Sequence, residues 1–497
     1  MYRLFLLFAL LAFGPGAAAQ STYFVATDGS DFGSGSIESP LATVGKALDY
    51  AVPGDTVFIR GGTYASPSPI RIDDGGGEEA YLHLWAYADE EPVFDFTGAN
   101  RGFDLRGDYI HMKGITVERS GDNGIYIKGA SFNIIEQMVS RNNGDSGVQA
   151  EDGSAHNLIL NTDSYGNYDP GNNGENADGF AIKFGVGEGN VLRGCRAWGN
   201  SDDGYDFWSQ DDPDQQGIRV ENSWSFENGI NVWDDPDFRG DSNGFKLGHG
   251  PGPHVLVRNV AWGHLAHGFD INGNLSGVTL YNNTAAFNEG AGFYFDDDQN
   301  VDQGVSVLRN NLSFDDIRMD GNIVDAEFNS WNSEVPSPQL ADFANTDPTG
   351  ADGPRQPDGS LPDLDFMSLV EGSDLIDAGI DVGLPFVGAA PDVGAYESPF
   401  SVPTEEAATP QALALHAAYP NPFRAATQLA FETPEAGPVR LTVYDALGRT
   451  VATLVDERLA AGPHTVRWNA AGLAAGLYIA RLEANGSSDV VSLTHLK

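Results

Sequence analysis

Cysteine is almost absent from this chain of 497 residues, since Cys195 is the only one. An internal disulfide is therefore impossible, and the fold must be held by a large core or by bound ions. Basic residues are also scarce, with 27 Lys and Arg against 71 Asp and Glu and a formal net charge of −44. This balance argues against a nucleic-acid partner. Because acidic residues occur throughout the chain, clustered aspartates indicate a site only if their position in the fold supports it.

Long apolar runs are missing except at the N-terminus. There, Arg3 and an apolar run precede Ala17-Ala18-Ala19. This is the pattern of a secretory signal peptide, which we predict over residues 1–19 with cleavage before Gln20. No later segment is long and apolar enough to predict a transmembrane helix. The sequence therefore predicts a secreted protein.

Glycine, in contrast, is abundant, with 61 residues, and it marks an internal repeat. A glycine followed by an apolar residue recurs, mostly every 22 to 25 residues, at Gly102, Gly124, Gly147, Gly179, Gly204, Gly244, Gly268 and Gly292. A period near 23 with short strand-like segments and no helix between them predicts a parallel β-helix. Two longer steps contain YDPGNNGENA and GINVWDDPDFRGDS, which we interpret as loop insertions on one face, often the binding face.

Most repeats also end their alternating segment in a polar residue. We expect these residues to form an inward ladder of side chains at a turn, made of Asn142, Asn167, Asn200, Asn228 and Asn288, with Ser120 and His264 in place of Asn.

Different patterns flank the repeats. We predict a helix over 41–52 that caps the N-terminal end, and a segment over 345–397 that packs the last coils. The sequence PFSVPTEEAATPQAL is typical of a linker, and VRLTVYDALG, HTVRWNA and GLYIARLEA are typical of a small β-sandwich. We therefore expect an all-β chain with a signal peptide over 1–19, a β-helix domain over 20–398, a linker over 399–411 and a β-sandwich over 412–497.

The repeat register predicts which side chains are neighbours. Counted from each glycine, positions +1 and +3 are almost always apolar and must face the core, so position +2 faces out. Equivalent positions of successive coils lie about 4.8 Å apart. This places Lys246 one coil from Asp206 and Asp270 one coil further, and it places Asp178 beside Asp203.

Four carboxylates of two neighbouring coils are thus expected to converge, namely Asp178, Asp202, Asp203 and Asp206. Without a cation they would repel one another, and hard oxygen ligands in this number suit Ca²⁺ better than magnesium or zinc. The alternative is a set of unconnected surface acids. For Lys246, the residues alone leave a catalytic role and a structural salt bridge equally open.

The stretch NADGFAIKFGVGEGNVLRGCRAWGNSDDGYDFW, followed by SNGFKLG, resembles family 9 polysaccharide lyases, which are pectate lyases on a right-handed parallel β-helix. The resemblance extends over most of residues 22–397. It implies cleavage of pectate or a related uronic acid polymer by β-elimination. It also implies that Asp178, Asp202, Asp203 and Asp206 bind Ca²⁺ and that Lys246 is the base.

The C-terminal module resembles a type IX secretion sorting domain, on the pieces AYPNPF, VYDALGR and GLYIARL. This resemblance implies export by the type IX secretion machinery, removal of the module, and a product that is released or attached to the cell surface. The alternative is an ordinary carbohydrate-binding sandwich. We expect the mature protein to be a monomer.

Four further residues are predicted to bind substrate: Lys183, Arg239, Trp208 and Asp270. The two basic residues would offset the acidic surface within the cleft. Trp208 would stack on a sugar ring, and Asp270 follows Lys246 in the outward column. A solvated charge, or a lone exposed aromatic ring, is the alternative interpretation.

Three other functions remain open on the sequence. The motifs Asn161-Thr162-Asp163, Asp202-Asp203 and Gly248-His249-Gly250 resemble those of polygalacturonase hydrolases, although Asp163 is expected on a different sheet from Asp203. A non-catalytic β-helix that binds polysaccharide would keep the carboxylates without needing Lys246. A lyase could also act on alginate or a glycosaminoglycan.

Overall fold

The computed structural model describes residues 20–210, 212–296, 303–320, 323–401 and 413–496. The predicted signal peptide and most of the predicted linker lie outside these residues. The chain forms two compact units, Met1–Ser401 and Val402–Lys497.

The first unit is built from three long parallel sheets. In its described residues, the first sheet contains β1 (Thr22–Val25), β2 (Thr56–Ile59), β5 (Leu82–Ala86), β8 (Ile110–Lys113), β11 (Ile134–Glu136), β14 (Leu158–Leu160), β17 (Val191–Arg193), β20 (Arg219–Glu221), β23 (Val255–Val257), β26 (Thr279–Tyr281), β29 (Ser306–Arg309) and β32 (Val324–Glu327). The second sheet, over the same ranges, contains β4 (Ile70–Ile72), β7 (Phe103–Leu105), β10 (Ile125–Lys128), β13 (Val148–Glu151), β16 (Phe180–Ile182), β19 (Tyr205–Asp206), β22 (Phe245–Lys246), β25 (Phe269–Asp270), β28 (Phe293–Phe295) and β31 (Ile317–Met319). The third sheet contains β3 (Gly62–Ala65), β6 (Pro92–Asp95), β9 (Thr116–Glu118), β12 (Val139–Arg141), β15 (Asp163–Tyr165), β18 (Arg196–Trp198), β21 (Trp224–Phe226), β24 (Val260–Trp262), β27 (Thr284–Ala286) and β30 (Leu312–Ser313).

From β2 onward, successive strands of the first unit belong to different sheets. For example, β14, β15 and β16 lie in the first, third and second sheets, and each pairs with the equivalent strand of the next coil. This connectivity winds the chain into a parallel β-helix and confirms the predicted fold class.

The repeated glycine lies where neighbouring coils approach one another closely. At Gly204, an added Cβ atom would lie 2.0 Å from Ser225 Oγ and 2.7 Å from the carbonyl oxygen of Gly244. A side chain there would push the next coil away, which explains why glycine recurs with the period of the coil.

The predicted apolar columns form the core behind the second sheet. Phe180, Tyr205, Phe245 and Phe269 stack in register with ring centroids 4.5 to 5.0 Å apart. The intervening +2 side chains point to the opposite face, as predicted. They are nevertheless largely shielded from solvent, and Asp206 is only 3% exposed.

The inward asparagine ladder exists, but its first asparagine is Asn143 instead of Asn142. The Asn143 amide donates to Asn167 Oδ1 (2.9 Å), and the contact repeats from Asn167 to Asn200 (2.8 Å). Asn142 has a left-handed φ of 54° at the turn, so it is the following residue that points inward. Ser120 and His264 occupy ladder positions as predicted.

A second asparagine ladder was not predicted from the sequence. It runs through Asn259, Asn283, Asn311 and Asn329, at the turn between the first and third sheets.

The N-terminal helix is shorter than predicted, because α1 covers only Val44–Leu48. Thr43 caps it by accepting a hydrogen bond from the Lys46 N–H (3.1 Å). Val52 precedes Pro53, a position that disfavours the helical conformation, and this limits the C-terminal extension.

The segment after the last coils packs on the outside of the third sheet. It contains the 3₁₀-helix η1 (Leu340–Asp342), and its apolar residues share a buried cluster with the later strands of that sheet. Trp262 contacts Phe366 in this cluster, with ring centroids 5.0 Å apart.

The second unit consists of two antiparallel sheets around one core. In the described part of this unit, one sheet contains β33 (Ala414–Leu415), β34 (Ala426–Thr433) and β37 (Gly462–Asn469), and the other contains β36 (Thr450–Leu459), β35 (Gly437–Asp445), β38 (Gly476–Ala484) and β39 (Ser487–His495). This arrangement agrees with the predicted β-sandwich.

Candidate functional site

The candidate site lies on the outer face of the second sheet, over four consecutive coils. The strand pairs place Asp206 beside Lys246 and Lys246 beside Asp270, as the repeat register predicts. Asp178 and Asp203 precede neighbouring strands at equivalent positions, and the Asp203 N–H donates to Asp178 Oδ1 (3.2 Å).

Three buried carboxylates converge at this point. Asp178, Asp202 and Asp203 each offer an oxygen atom within 4.8 Å of the other two. Backbone groups hold them in place, because Asp203 Oδ1 accepts from the Asn243 N–H (2.7 Å) and the two oxygens of Asp202 accept from the N–H groups of Asn176 (3.0 Å) and Asp241 (2.6 Å). We refer to Asp178, Asp202 and Asp203 as the carboxylate group.

The protonation of the carboxylate group shows the energetic cost of its burial. Removal from water raises the pKa of Asp178 to about 8, against the opposing charge of Lys183. Burial likewise raises the pKa of Asp203 to about 6, and it raises that of Asp202 well above its usual range. When no metal ion is bound, burial therefore favours the neutral form of these carboxylates.

The carboxylate group fits a hard divalent cation. Asp203 Oδ2 is buried and lies 3.0 Å from Lys246 Nζ, but the geometry of this ion pair does not form a hydrogen bond. This oxygen is therefore available as a ligand. All the ligand atoms that this group offers are carboxylate oxygens, which suit Ca²⁺ or Mg²⁺ and disfavour zinc.

The fourth predicted ligand, Asp206, is paired with a lysine. Its Oδ2 accepts from Lys183 Nζ (2.5 Å), and its Oδ1 accepts from the Trp208 N–H (2.8 Å). Lys183, which is buried, also donates to Asp178 Oδ2 (3.0 Å), so it bridges two coils. Burial opposes the charge on Asp206, but Lys183 and Lys246 outweigh it and the pKa of Asp206 is lowered.

Lys246 lies against the same carboxylates from the next coil. Its Nζ is 3.0 Å from Asp203 Oδ2 and donates to Asp241 Oδ2 (2.6 Å). Burial alone would lower the pKa of Lys246, but the charges of Asp203, Asp206 and Asp202 outweigh it and raise the pKa well above its usual range. Lys246 therefore carries a proton while the carboxylates are unneutralised.

The three remaining residues predicted to bind substrate differ in their position relative to the carboxylate group. Trp208 is half-buried and makes edge contacts with Phe184 (6.0 Å between centroids) and His249 (6.3 Å). Asp270 is buried beside Lys246, and burial raises its pKa to about 7. Arg239 is exposed, and its backbone N–H donates to the carbonyl oxygen of Asn173 (2.9 Å). The first two line the site, whereas Arg239 lies on an insertion loop.

The two insertion loops meet beside the carboxylate group. The rings of Tyr168 and Trp233 stack at 4.7 Å, and the Tyr168 hydroxyl donates to Asp235 Oδ2 (2.8 Å). Asn176 and Asp241, which bind Asp202, are also insertion residues. The loops therefore help to shape the site, in agreement with their predicted place on one face.

The hydrolase-like motif does not assemble around Asp203. Asp163 lies in β15 on the third sheet, where Arg196 donates to both of its oxygens (2.8 Å to Oδ1 and 2.6 Å to Oδ2) and Arg355 donates to Oδ1 (2.6 Å). This agrees with its predicted separation from Asp203.

Two residues of the site were missed from the sequence. Asp241, which binds both Asp202 and Lys246, lies in an insertion that the repeat register does not reach. Asn243, which holds Asp203, occupies position −1 like Asp178 and Asp203, and that column was the signal that would have found it.

Both units of the chain match known protein families. Residues 23–315 match the family described as "Pel9A-like, right handed beta helix region", and residues 417–493 match the "Secretion system C-terminal sorting domain" family. Pectate lyase L of Dickeya chrysanthemi is 38% identical over 400 residues, covering 77% of this chain and 92% of the relative. Pectate lyase PEL9 of Emericella nidulans is 32% identical over 395 residues, covering 72% and 95%.

Solved structures give the same result. The crystal structure of pectate lyase Pel9A superposes with a TM-score of 0.71 at 35% identity, covering 77% of this chain and 97% of that one. A rhamnogalacturonan lyase superposes with a TM-score of 0.58 at 25% identity, covering 70% and 96%. In the residues that the structure describes, no helix has the length and apolar character needed to span a membrane.

Proposed function

The chain belongs to the Pel9A-like family of right-handed β-helix proteins and is an enzyme of the pectate lyase type, and on that premise we propose that it cleaves pectate, or a related uronic acid polymer, by Ca²⁺-dependent β-elimination with Lys246 as the base. The observation that carries the proposal is the placement of Lys246 Nζ 3.0 Å from Asp203, a member of the buried carboxylate group.

Calcium is the ion that we propose for this group. Asp178, Asp202 and Asp203 would hold it, and Asp206 would join them if Lys183 moved away. Bound there, Ca²⁺ would neutralise the uronate carboxylate of the substrate and so stabilise the negative charge that develops next to it.

The residues of the chain supply the proton transfer. Lys246 Nζ would take the proton from C5 of the uronic acid, whose acidity comes from the adjacent carboxylate. The electron pair forms the C4–C5 double bond as the C4–oxygen bond breaks, and the leaving oxygen takes a proton from solvent. Lysine accepts a proton only when neutral. The carboxylates that hold Lys246 charged must therefore be neutralised first, so cation occupancy would control the base.

The closing segment of the chain points to export. The match to the secretion sorting domain implies type IX secretion, to the medium or to the cell surface. We propose that this unit is removed after export and that the β-helix acts as a monomer.

The test is a panel of uronic acid polymers incubated with the full chain, with and without Ca²⁺. We expect polygalacturonate to give an unsaturated product that absorbs in the ultraviolet, and a chelator to abolish it. Lys246→Ala should lower kcat by a factor of about 100 to 10,000, the usual contribution of a general base.

Lys128→Ala is the matched control. Lys128 lies on the same sheet and pairs with Glu151 and Asp152 (2.7 Å each), three strands before Asp206. Its loss should leave kcat close to wild type. Full activity of a metal-stripped sample, or of Lys246→Ala, would contradict the proposed mechanism, and reducing sugar without unsaturated product would indicate hydrolysis.

A further inference from the structure

A separate polar pocket lies beyond Lys246 on the same sheet. It has a volume of about 80 Å³ and is lined by His249, Asp270, Ile271, Asn272, Gly273, Tyr294 and Asp296. Asp270 is two strands from Asp206, a distance of about 10 Å at the usual strand spacing. A short oligosaccharide running along the coils would span both places.

The lining of this pocket offers buried acceptors. Asp270 is only 8% exposed, and its Oδ1 accepts from the Asn272 N–H (2.8 Å). Asn272 Oδ1 is buried and has no hydrogen-bond partner within the part of the chain that the structure describes. A buried acceptor without a donor costs free energy, so the pocket suits a ligand that brings O–H groups.

The backbone of one residue that lines this pocket, His249, is also unusual. His249 has a φ of 94°, which is strained for a residue with a side chain, and its ring faces Trp208. Such strain persists where the surrounding structure holds it, often at binding sites.

We propose that this pocket is a sugar-hydroxyl subsite, in which Asp270 and Asn272 accept hydrogen bonds from the ring hydroxyls of a uronic acid unit near the reacting one. The proposal rests on the proposed function and adds a specificity determinant to it. Asp270 would repel the carboxylate of a uronic acid, so the hydroxyl edge of the sugar faces the pocket. A water molecule needs about 10 to 15 Å³, so the volume admits the hydroxyls of one edge and not a whole ring.

The experiment compares polygalacturonate with its 2- and 3-O-acetylated form, whose acetyl esters replace the hydroxyl donors. We expect the wild type to prefer the free polymer. Asp270→Asn should raise KM for the free polymer about 10-fold, the effect of one lost charge-assisted hydrogen bond, and should reduce the preference, with kcat largely unchanged.

The matched control is Asp104→Asn. Asp104 occupies the same +2 column six strands away, is equally buried and pairs with Arg106 (2.6 Å). It should leave both KM and the preference at wild-type values. Calorimetric titration with Ca²⁺ should give the same affinity and stoichiometry for the wild type and Asp270→Asn.

Three results would overturn the subsite. The first is an Asp270→Asn enzyme with wild-type KM and preference, while the wild type cleaves the polymer. The second is the loss of one bound Ca²⁺ per molecule in Asp270→Asn, which would make the pocket a cation site. The third is a wild type that releases no unsaturated product from any polymer, which would refute the proposed function and the subsite together.

Discussion

His264 should make the β-helix unusually sensitive to acid. It occupies an asparagine position of the inward ladder, where its ring Nδ1 accepts a hydrogen bond from the Asn228 backbone N–H (3.3 Å) and its backbone N–H donates to Asn288 Oδ1 (3.1 Å). The ring is fully buried. Burial disfavours the imidazolium and lowers the pKa of His264 to about 4. The unfolded chain, with an ordinary pKa near 6.5, therefore binds the proton first as the pH falls.

The magnitude follows from proton linkage. Above pH 6.5 the neutral ring is the main form in both states and the penalty is absent. Between pH 6.5 and 4 the unfolded state binds more protons than the folded state, so the stability decreases as the pH is lowered. A folded pKa of about 4 corresponds to a loss of about 2 kcal/mol at pH 5 and about 3 kcal/mol at pH 4.

The substitution His264→Asn isolates this term, because asparagine fills the equivalent position in neighbouring coils and does not titrate. Its steric effect is independent of pH, and His254, whose pKa burial lowers to about 3, is present in both proteins. Calorimetric unfolding of wild type and variant should show the variant gaining about 2 kcal/mol relative to wild type between pH 7.5 and pH 5. A stability difference that stays constant with pH would show that the His264 ring does not cause the loss of stability in acid.

Two further predictions concern the site and the repeat. Asp203→Asn removes one charged ligand from the carboxylate group and should weaken the proposed Ca²⁺ binding about 10- to 100-fold in a calorimetric titration. The unfolding temperature of the ion-free protein should stay the same or rise, and an unchanged Ca²⁺ affinity would exclude Asp203 as a ligand. Gly204→Ala places a Cβ atom 2.0 Å from Ser225 Oγ and should cost about 1 to 3 kcal/mol of stability. The control Gly45→Ala lies in a helix with no atom within 4 Å of the added Cβ, so it should be neutral or stabilising. Equal effects of the two variants on the denaturation midpoint would contradict the explanation that glycine recurs because the coils approach closely there.

The fold was predictable because a solenoid repeats one local rule. Glycine at the close approach and apolar residues at +1 and +3 together set the register, and the register alone places Asp178 beside Asp203 and Asp206 beside Lys246. These pairs needed no knowledge of loop structure.

Other features depend on forces that the repeat does not express. The pairing of Asp206 with Lys183 depends on which cation is closest in the folded site, and a count of carboxylates predicts a ligand in either case. The ladder contains Asn143 and not Asn142 because Asn142 is a left-handed turn residue, which shifts the inward position by one residue. Asp241 lies in an insertion, where periodicity carries no information.

The insertions nevertheless orient part of the proposed cation site, which would link loop order to ion binding. Strand register fixes Asp178 and Asp203, but the carboxylate of Asp202 is oriented by N–H groups of Asn176 and Asp241, one from each insertion. The same hydrogen bonds anchor the two loops to the coil. An ion that binds better to the oriented carboxylate must stabilise the ordered loops by the same free energy, because linkage is reciprocal. Ion binding to the carboxylate group and the order of the two loops would therefore be coupled, each favouring the other.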